Sequence, residues 1–270
     1  MTLMLIALLC LPALSLIMAM AWWIAREPGQ SGWTDVIWSF AVGLVGALAC
    51  LVPAGGASQH RQICVAIMVA FWSLRLGAYI GVRTAGHGDD PRYAELRKTW
   101  GAQFSSRLFV FLQIQAFAAW LLVLCVVMAS HRPGPFPRWS DLAGLAVLLI
   151  AVAGEGLADA QLRRFRSLPA NAGQVCASGL WGLSRHPNYF FEWLGWIAYA
   201  IIAIGPNADW SPGWAALSGP VFIYWLLVHV SGIPPLEAHM LRSRGDAFRR
   251  VQSRVNAFWP CPRHRNAGEP

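Results

Sequence analysis

Charge is what this chain has least of. Asp, Glu, Lys and Arg together make up 13% of its 270 residues, about half the share usual in a soluble globular domain. Lysine is almost missing: Lys98 is the single one among 21 basic residues. So little polar surface excludes a disordered chain and argues against a nucleic-acid binder. No GxGxxG or GxxxxGK[ST] loop opens a helix, so neither a Rossmann domain nor a P-loop is expected. The seven His are scattered, without the HxxHH-like clusters of diiron hydroxylases and desaturases, and no metal site is expected. The six Cys (Cys10, Cys50, Cys64, Cys125, Cys176 and Cys261) include no CxxC pair, and four lie in apolar runs. They read as reduced, buried thiols, neither a zinc site nor a disulfide framework. The repeats and mid-membrane helix breaks of many transporters are not visible.

What the chain has instead is apolar length. Apolar residues reach 56%, Trp alone numbers 15, and mean hydropathy is +0.46. Seven runs are long enough to cross a bilayer, which takes roughly 20 helical residues: Leu3–Ile24, Thr34–Val52, Ile63–Val82, Leu108–Ala129, Leu142–Ala158, Tyr189–Ile204 and Trp214–Val230. The expectation is an all-α membrane protein, a seven-transmembrane helix bundle with residues 1–270 as one integral membrane domain. The first run lacks a basic n-region and is too long for a typical signal-peptide core, so it reads as a span. Trp22, Trp23, Trp139, Trp210 and Trp214 lie near run ends, where aromatic belts form.

The net charge of +8 is distributed by side. Loops after the first, third, fifth and seventh runs hold 17 basic residues; the opposite loops hold three, Arg61, Arg132 and Arg138. The positive-inside rule then puts the N-terminus outside and the C-terminus in the cytoplasm. Most of these Arg set topology and attract anionic lipid.

Ionisable groups within spans point to function by default. Arg75, Tyr79 and Arg83 share one face of the third span. Glu155 and Asp159 end the fifth, and their face continues through Arg163 and Arg166. Asn188, Glu192, Gly195 and Tyr199 form a stripe on the sixth. All three stripes lie toward the basic side and predict one cytoplasm-facing cavity; the plainer alternative is acid–Arg pairing that only holds a bundle together. The most informative stretch is Gly179-Leu-Trp-Gly-Leu-Ser-Arg-His-Pro-Asn-Tyr-Phe-Phe-Glu192. Pro187 suits a first helical turn, so the sixth span starts near His186 with its positive end toward the cytoplasm. Arg185 there is expected to offer an anion a charge-assisted fork. Asn188, Tyr189 and Glu192 add an amide, a phenol and a carboxylate, an arrangement suited to one end of a cofactor. Further on, Pro234 and Pro235 are expected to break the last span, with an Arg-rich amphipathic segment following from Glu237 to about Val255.

These residues resemble a known superfamily. Ser184-Arg-His-Pro-Asn-Tyr-Phe-Phe-Glu192 is similar to the RHPNYxG(D/E) motif of membrane steroid and sterol reductases, with a looser RHPxY form in isoprenylcysteine-type methyltransferases. Ala158-Asp-Ala-Gln-Leu-Arg-Arg-Phe-Arg166 resembles the sterol C14-reductase segment NxQKxxFR, with Leu162 where that segment has Lys. Glu237 to Phe248 and Phe258-Trp-Pro260 resemble the family's E…G…(Y/W)…FP ending. Gly88-Asp-Asp-Pro-Arg-Tyr93 and the Ser231-Gly-Ile-Pro-Pro-Leu-Glu237 turn resemble bacterial membrane proteins classed with the steroid 5α-reductases. The likeness covers about residues 70–262. It implies NADPH binding from the cytoplasm in the bacterial inner membrane, by Asp159, Gln161, Arg163, Arg166, Arg185, His186, Asn188, Tyr189, Glu192 and Glu237. One departure stands out. The Gln-Glu pair that polarises a steroid enone has no counterpart in Val52-Pro-Ala-Gly-Gly-Ala-Ser-Gln59, and Trp72 falls where the third-helix Tyr would be.

The implied activity is hydride transfer to an activated C=C bond of a lipophilic, steroid-like or isoprenoid substrate within the membrane. Such a reaction needs a proton donor and a group that steadies developing negative charge. Tyr189, Tyr93 and Tyr79 are the candidate acids, tuned by Glu192 or Arg75. Two other classes compete: an S-adenosylmethionine-dependent membrane methyltransferase, and a lipid-binding or scaffold protein without an enzyme's site. Phosphate discriminates the first pair, since NADPH carries it and S-adenosylmethionine does not.

Overall fold

A computed structural model describes residues 2–27, 30–54, 56–87 and 91–261, with backbone alone at 87, 91 and 92. The described residues are helical, with two isolated bridges (Ala57 to Pro133, Ser184 to Asn256) and no strand among them. The helices are α1 (Leu3–Ala25), α2 (Trp33–Cys50), α3 (Gln59–His87), α4 (Pro91–Trp100), α5 (Phe104–Ser130), α6 (Trp139–Ser167), α7 (Pro187–Ile204), α8 (Ser218–Trp225), α9 (Ile233–Arg244) and α10 (Asp246–Gln252). Six helical runs are long and apolar enough to cross a bilayer: Leu3–Ala25, Trp33–Cys50, Gln59–Gly86, Tyr93–Ser130, Trp139–Ser167 and Ser211–Arg244. By helix length and composition this is a multi-pass membrane protein. Helix α7, 18 residues with Asn188 and Glu192 in its first turns, is not among the six.

The helices carry their largest apolar side chains outward, as a lipid solvent demands. Met4, Leu16, Met20, Leu48, Leu74 and Ile150 are exposed, while Ala, Gly and Ser fill much of the interior. Apolar side chains gain nothing by leaving lipid for one another, so close packing of small residues and polar ties hold such helices together.

The chain divides into two compact units, Met1–Leu145 with Tyr199–Gly219, and Ala146–Ala198 with Pro220–Pro270. In the first, α2 and α3 cross at small residues. A methyl added at Gly43 would come 2.2 Å from Ser73 Cβ, and one at Gly77 would come 2.7 Å from the Phe40 ring. Ser73 Oγ donates to Ser39 O at 2.9 Å across the same contact. Indole N–H groups tie α5 to its neighbours: Trp22 donates to Ser105 O, Trp38 to Gln115 O and Trp120 to Ala7 O, at 2.7–3.0 Å. Two Arg are wholly internal. Arg61 forks onto Asp141, both contacts at 2.8 Å, and donates to the carbonyls of Arg132 and Pro135. Arg132 donates to Ser140 Oγ and Asp209 Oδ1, each at 2.9 Å, and to Ile202 O. Gly205, at φ 64°, lies against that guanidinium, where any side chain would collide with it.

In the second unit, α6 and α7 pack through glycine. A methyl at Gly154 would meet the Phe191 ring at 2.3 Å, and Gly195 lies over Ala151 and Leu148. The run after α8 takes one π-helical turn, Leu226–Val230, with Ser231 N donating back to Leu226 O.

Four expectations change. Tyr93 belongs to a helix, α4, which Pro91 starts without needing its missing N–H; Gly88, Asp89 and Asp90 of that motif lie outside the described residues. The break before α9 falls at Ser231–Gly232, and Pro234 and Pro235 open the next helix rather than end the last. The amphipathic segment is two helices, parted at Gly245 with φ 49°. Cys261 is exposed and Cys64 half-buried, because neither sits on a packed face; the other four Cys are buried and all six are free thiols.

Candidate functional site

The site is built around the start of α7, in the second unit. The preceding segment is fastened to α6 at two points. Gln161 Oε1 accepts from Leu180 N, and Trp181 Nε1 donates to Ala158 O, both at 2.9 Å. Gly179 makes the first possible: at φ 61° a side chain there would be strained, and a methyl would lie 2.7 Å from Gln161 Oε1. Ser184 then sets the turn. Its hydroxyl accepts from His186 N at 3.1 Å, a local turn Ser is suited to form, and donates to Phe258 O at 2.9 Å. Arg185 N donates to Asn256 O at 2.8 Å. The mouth of α7 is thereby held to the 256–258 segment before any charge is considered.

The charges converge on Glu237 of α9. Arg185 Nε donates to its Oε1 at 2.7 Å and Nη2 to Oε2 at 3.2 Å. His186 Nε2 lies 3.0 Å from Oε1, and Gln252 Nε2 of α10 donates to Oε2 at 2.7 Å. The third nitrogen of Arg185 donates to the carbonyls of Val255 and Gln252. A half-buried carboxylate of α9 is thus satisfied by a guanidinium fork and an imidazole from the start of α7 and an amide from α10. Charge-assisted bonds of this kind are about twice as strong as neutral ones.

Next to the hub, His186 stacks on Tyr189, ring centres 5.5 Å apart at 12°. Glu192, one turn on, accepts from Trp196 Nε1 at 3.0 Å. An aromatic cluster of Phe190, Trp193, Tyr224, Phe258 and Trp259 closes the other flank, its rings mostly edge to face at 5.2–6.2 Å. Such pairs add to apolar burial through the ring quadrupoles.

Of the residues expected to act together, the second unit holds Glu155, Asp159, Gln161, Arg163, Arg166, Arg185, His186, Asn188, Tyr189, Glu192 and Glu237. Asn188, Tyr189, Glu192 and Asp159 are half-buried, and Glu155 is buried. Arg163, Arg164 and Arg166 are exposed on the last turns of α6, and no carboxylate pairs with them among the described residues. Arg185 differs from the expected open fork, since each of its nitrogens already has a protein acceptor. Arg75, Tyr79, Arg83 and Tyr93 belong to the first unit. Tyr79 is 45% exposed; Tyr93 is 3% exposed, with its hydroxyl 3.3 Å from Asp35 Oδ1. Three site residues have a role that the sequence does not assign them: Gln252, and Ser184 and Trp181 within the Gly179–Glu192 stretch. Ser184 alone had a local signal, a hydroxyl two residues before the N–H it receives.

A family model described as "Protein of unknown function (DUF1295)" matches residues 21–255, most of the chain. No curated protein and no solved structure matches significantly. The chain belongs to the DUF1295 family.

Proposed function

We propose that this DUF1295 member is an NADPH-dependent reductase of the bacterial inner membrane, saturating an activated C=C bond of a steroid-like or isoprenoid substrate. In this reading α7 also crosses the bilayer, as the sixth of seven spans in chain order, the N-terminus lies outside, and the mouth of α7 opens to the cytoplasm. One observation carries it. Arg163, Arg164 and Arg166 stand exposed on the end of α6 with no carboxylate partner among the described residues, and Gln161 and Trp181 join that end to the α7 mouth. Guanidiniums without carboxylate partners are what a polyphosphate ligand requires, and Arg's planar fork suits phosphate oxygens. The donor set therefore fits NADPH, which when bound supplies the hydride.

The chain's own residues do the rest. Arg163 and Arg166 hold phosphate, with Asp159 and Asn188 as polar contacts to the cofactor. Arg185 acts as a positioning residue: its fork onto Glu237 fixes the segment that carries His186. His186, through its bond to Glu237 and its stack on Tyr189, holds the phenol in place. Tyr189 gives its proton to the substrate atom that gathers charge as the hydride adds to the other end of the conjugated system. Glu192 orients that region. Tyr79 and Tyr93 are the remaining candidates for the acid; Tyr93 is tied to Asp35.

Thermal-shift titration of detergent-purified protein with NADPH, NADH and S-adenosylmethionine tests the reading. A ligand at about 100 times its Kd adds roughly 2.7 kcal/mol to the folded state, so NADPH should raise Tm by several degrees. Stabilisation by S-adenosylmethionine alone would overturn the proposal in favour of a methyltransferase, which the RHPxY form also resembles.

A further inference from the structure

The first unit carries a groove that the proposed reaction does not use. It runs along the end of α4 and the first turns of α5 as a shallow depression of about 450 Å³, largely open on its outer side, and is lined by Trp100, Ser106, Arg107, Val110, Phe111 and Ile114. Its volume is in the range of small-molecule sites, and its polar groups lie together. Ser106 and Arg107 sit in the first turn of α5. Val110, Phe111 and Ile114 continue one and two turns further along the span, so the groove changes from polar to apolar over roughly 10 Å of helix.

The two ends differ in what they leave unsatisfied. Arg26 is stacked against Trp22 and Trp23, at 5.0 and 5.2 Å. Arg97 covers Phe104 at 4.1 Å and donates to Ala25 O. Arg107, exposed at the groove, has neither a carboxylate nor an aromatic ring as partner among the described residues. Trp100 adds an indole N–H with no hydrogen-bond acceptor among them. At the apolar end Val110 and Ile114 are 58% and 61% exposed, facing where acyl chains would run. The inner wall is firm. Phe111 sits edge-on to the buried Tyr93 at 6.4 Å, and Tyr93 is bonded to Asp35.

We infer that this groove holds one anionic phospholipid of the adjoining leaflet. Its phosphate sits at Arg107, with the Trp100 indole N–H beside it, and one acyl chain lies along Val110, Phe111 and Ile114; the Ser106 hydroxyl is already given to Gln103 O. The charge complementarity is local: a guanidinium and an indole N–H, neither with a polar protein partner among the described residues, at the polar end of an apolar groove open to the bilayer. The positive end of the α5 dipole adds to the same field, and anionic headgroups are attracted to basic residues near the membrane surface. A zwitterionic lipid would bring its own cation to Arg107 and lose that advantage.

Native mass spectrometry of the full-length protein in neutral detergent tests this, with equimolar phosphatidylglycerol and phosphatidylcholine of matched acyl chains. One phosphatidylglycerol should be retained about tenfold over phosphatidylcholine, because both place a phosphate at Arg107 but only the second adds a choline cation that repels it. Arg107→Ala should bring the ratio close to one, and Arg107→Gln should do the same while keeping the helix. Val110→Trp, which fills the apolar end of the groove, should lower retention of both lipids. Arg250→Ala, an exposed charge in the second unit, should leave the ratio unchanged. Equal retention by the unaltered protein, or a preference surviving in both Arg107 variants, would overturn the proposal. Displacement of phosphatidylglycerol by an equal concentration of oleate would do so too, in favour of a fatty acid. None of these outcomes depends on nucleotide binding.

Discussion

Glu237 is a single carboxylate on which the α7 mouth, α9 and α10 depend. Replacing it with Gln keeps the shape but removes the charge that Arg185 and His186 face. We expect Glu237→Gln to cost about 1.5–3 kcal/mol, the range for hydrogen bonds to charged groups, read as a lower Tm in detergent. Gln252→Ala should cost about 1 kcal/mol, since a neutral donor is lost. Arg185→Ala and Glu237→Ala should be far from additive in a double-mutant cycle; strict additivity would mean the pair is not coupled. For the cofactor, Arg166→Ala is expected to weaken NADPH more than NADH, and equal weakening would remove Arg166 from the 2′-phosphate. Glu192→Gln is expected to abolish turnover in protein that still extracts and folds. At this scale the sequence identified the participants better than the partnerships. The Ser184–Glu192 stretch was legible because its residue types are costly in a membrane. The inward turn of Arg185 was not, because its acceptor lies 52 residues away and Arg185 reads equally well as an open fork.

Among elements, helix starts were the most legible feature and helix breaks the least. The start of α7 at Pro187 follows from proline's fixed φ and missing N–H. The same property of Pro234 and Pro235 fits either side of a break, and in the structure it opens α9. The chain turns one step earlier, where the π-turn and Gly232 do the work; a shift of hydrogen bonding from i−4 to i−5 leaves no mark in composition. Gly232 is a sharp test. A methyl there would lie 2.4 Å from Leu227 O, backbone that cannot swing aside. Gly232→Ala should therefore destabilise the α8–α9 junction by about 1–3 kcal/mol, seen as faster proteolysis near residue 232 and a lower Tm. Unchanged cleavage would mean that the turn relaxes freely. The same logic made α4 invisible: its ten residues are polar and contain Pro91, so they read as loop.

For the whole molecule, composition alone was enough for a helical membrane protein, because no soluble fold exposes so many large apolar side chains. The count of spans was harder, since α7 trades apolar residues for Asn188 and Glu192. The charge asymmetry changes meaning with the structure. Two of the three Arg counted on the sparse side, Arg61 and Arg132, are spent inside on Asp141 and Asp209. Breaking the buried pair should be severe: Asp141→Ala should cost about 3–5 kcal/mol by leaving Arg61 uncompensated, measured by denaturation in detergent. Asp209 gives a milder, pH-dependent effect. The hydrogen bond from Arg132 holds its carboxyl below the usual range. Its contribution to stability is therefore complete above the ordinary Asp pKa near 4 and lost as pH falls through the lowered folded value. Asp209→Asn should flatten the acid limb of the stability profile, and an unchanged limb would show that the pair contributes nothing there.

The Arg61–Asp141 fork also bears on biogenesis. Asp141 is synthesised 80 residues after Arg61, so the guanidinium must wait at the translocon or membrane surface while α3, α4 and α5 emerge. An insertion intermediate ending before α6 would carry an Arg without its carboxylate partner, a costly group near the membrane. Truncations ending between residues 131 and 140 should accumulate poorly, whereas co-expression of 1–137 with 138–270 should restore the N-terminal fragment if the second supplies Asp141.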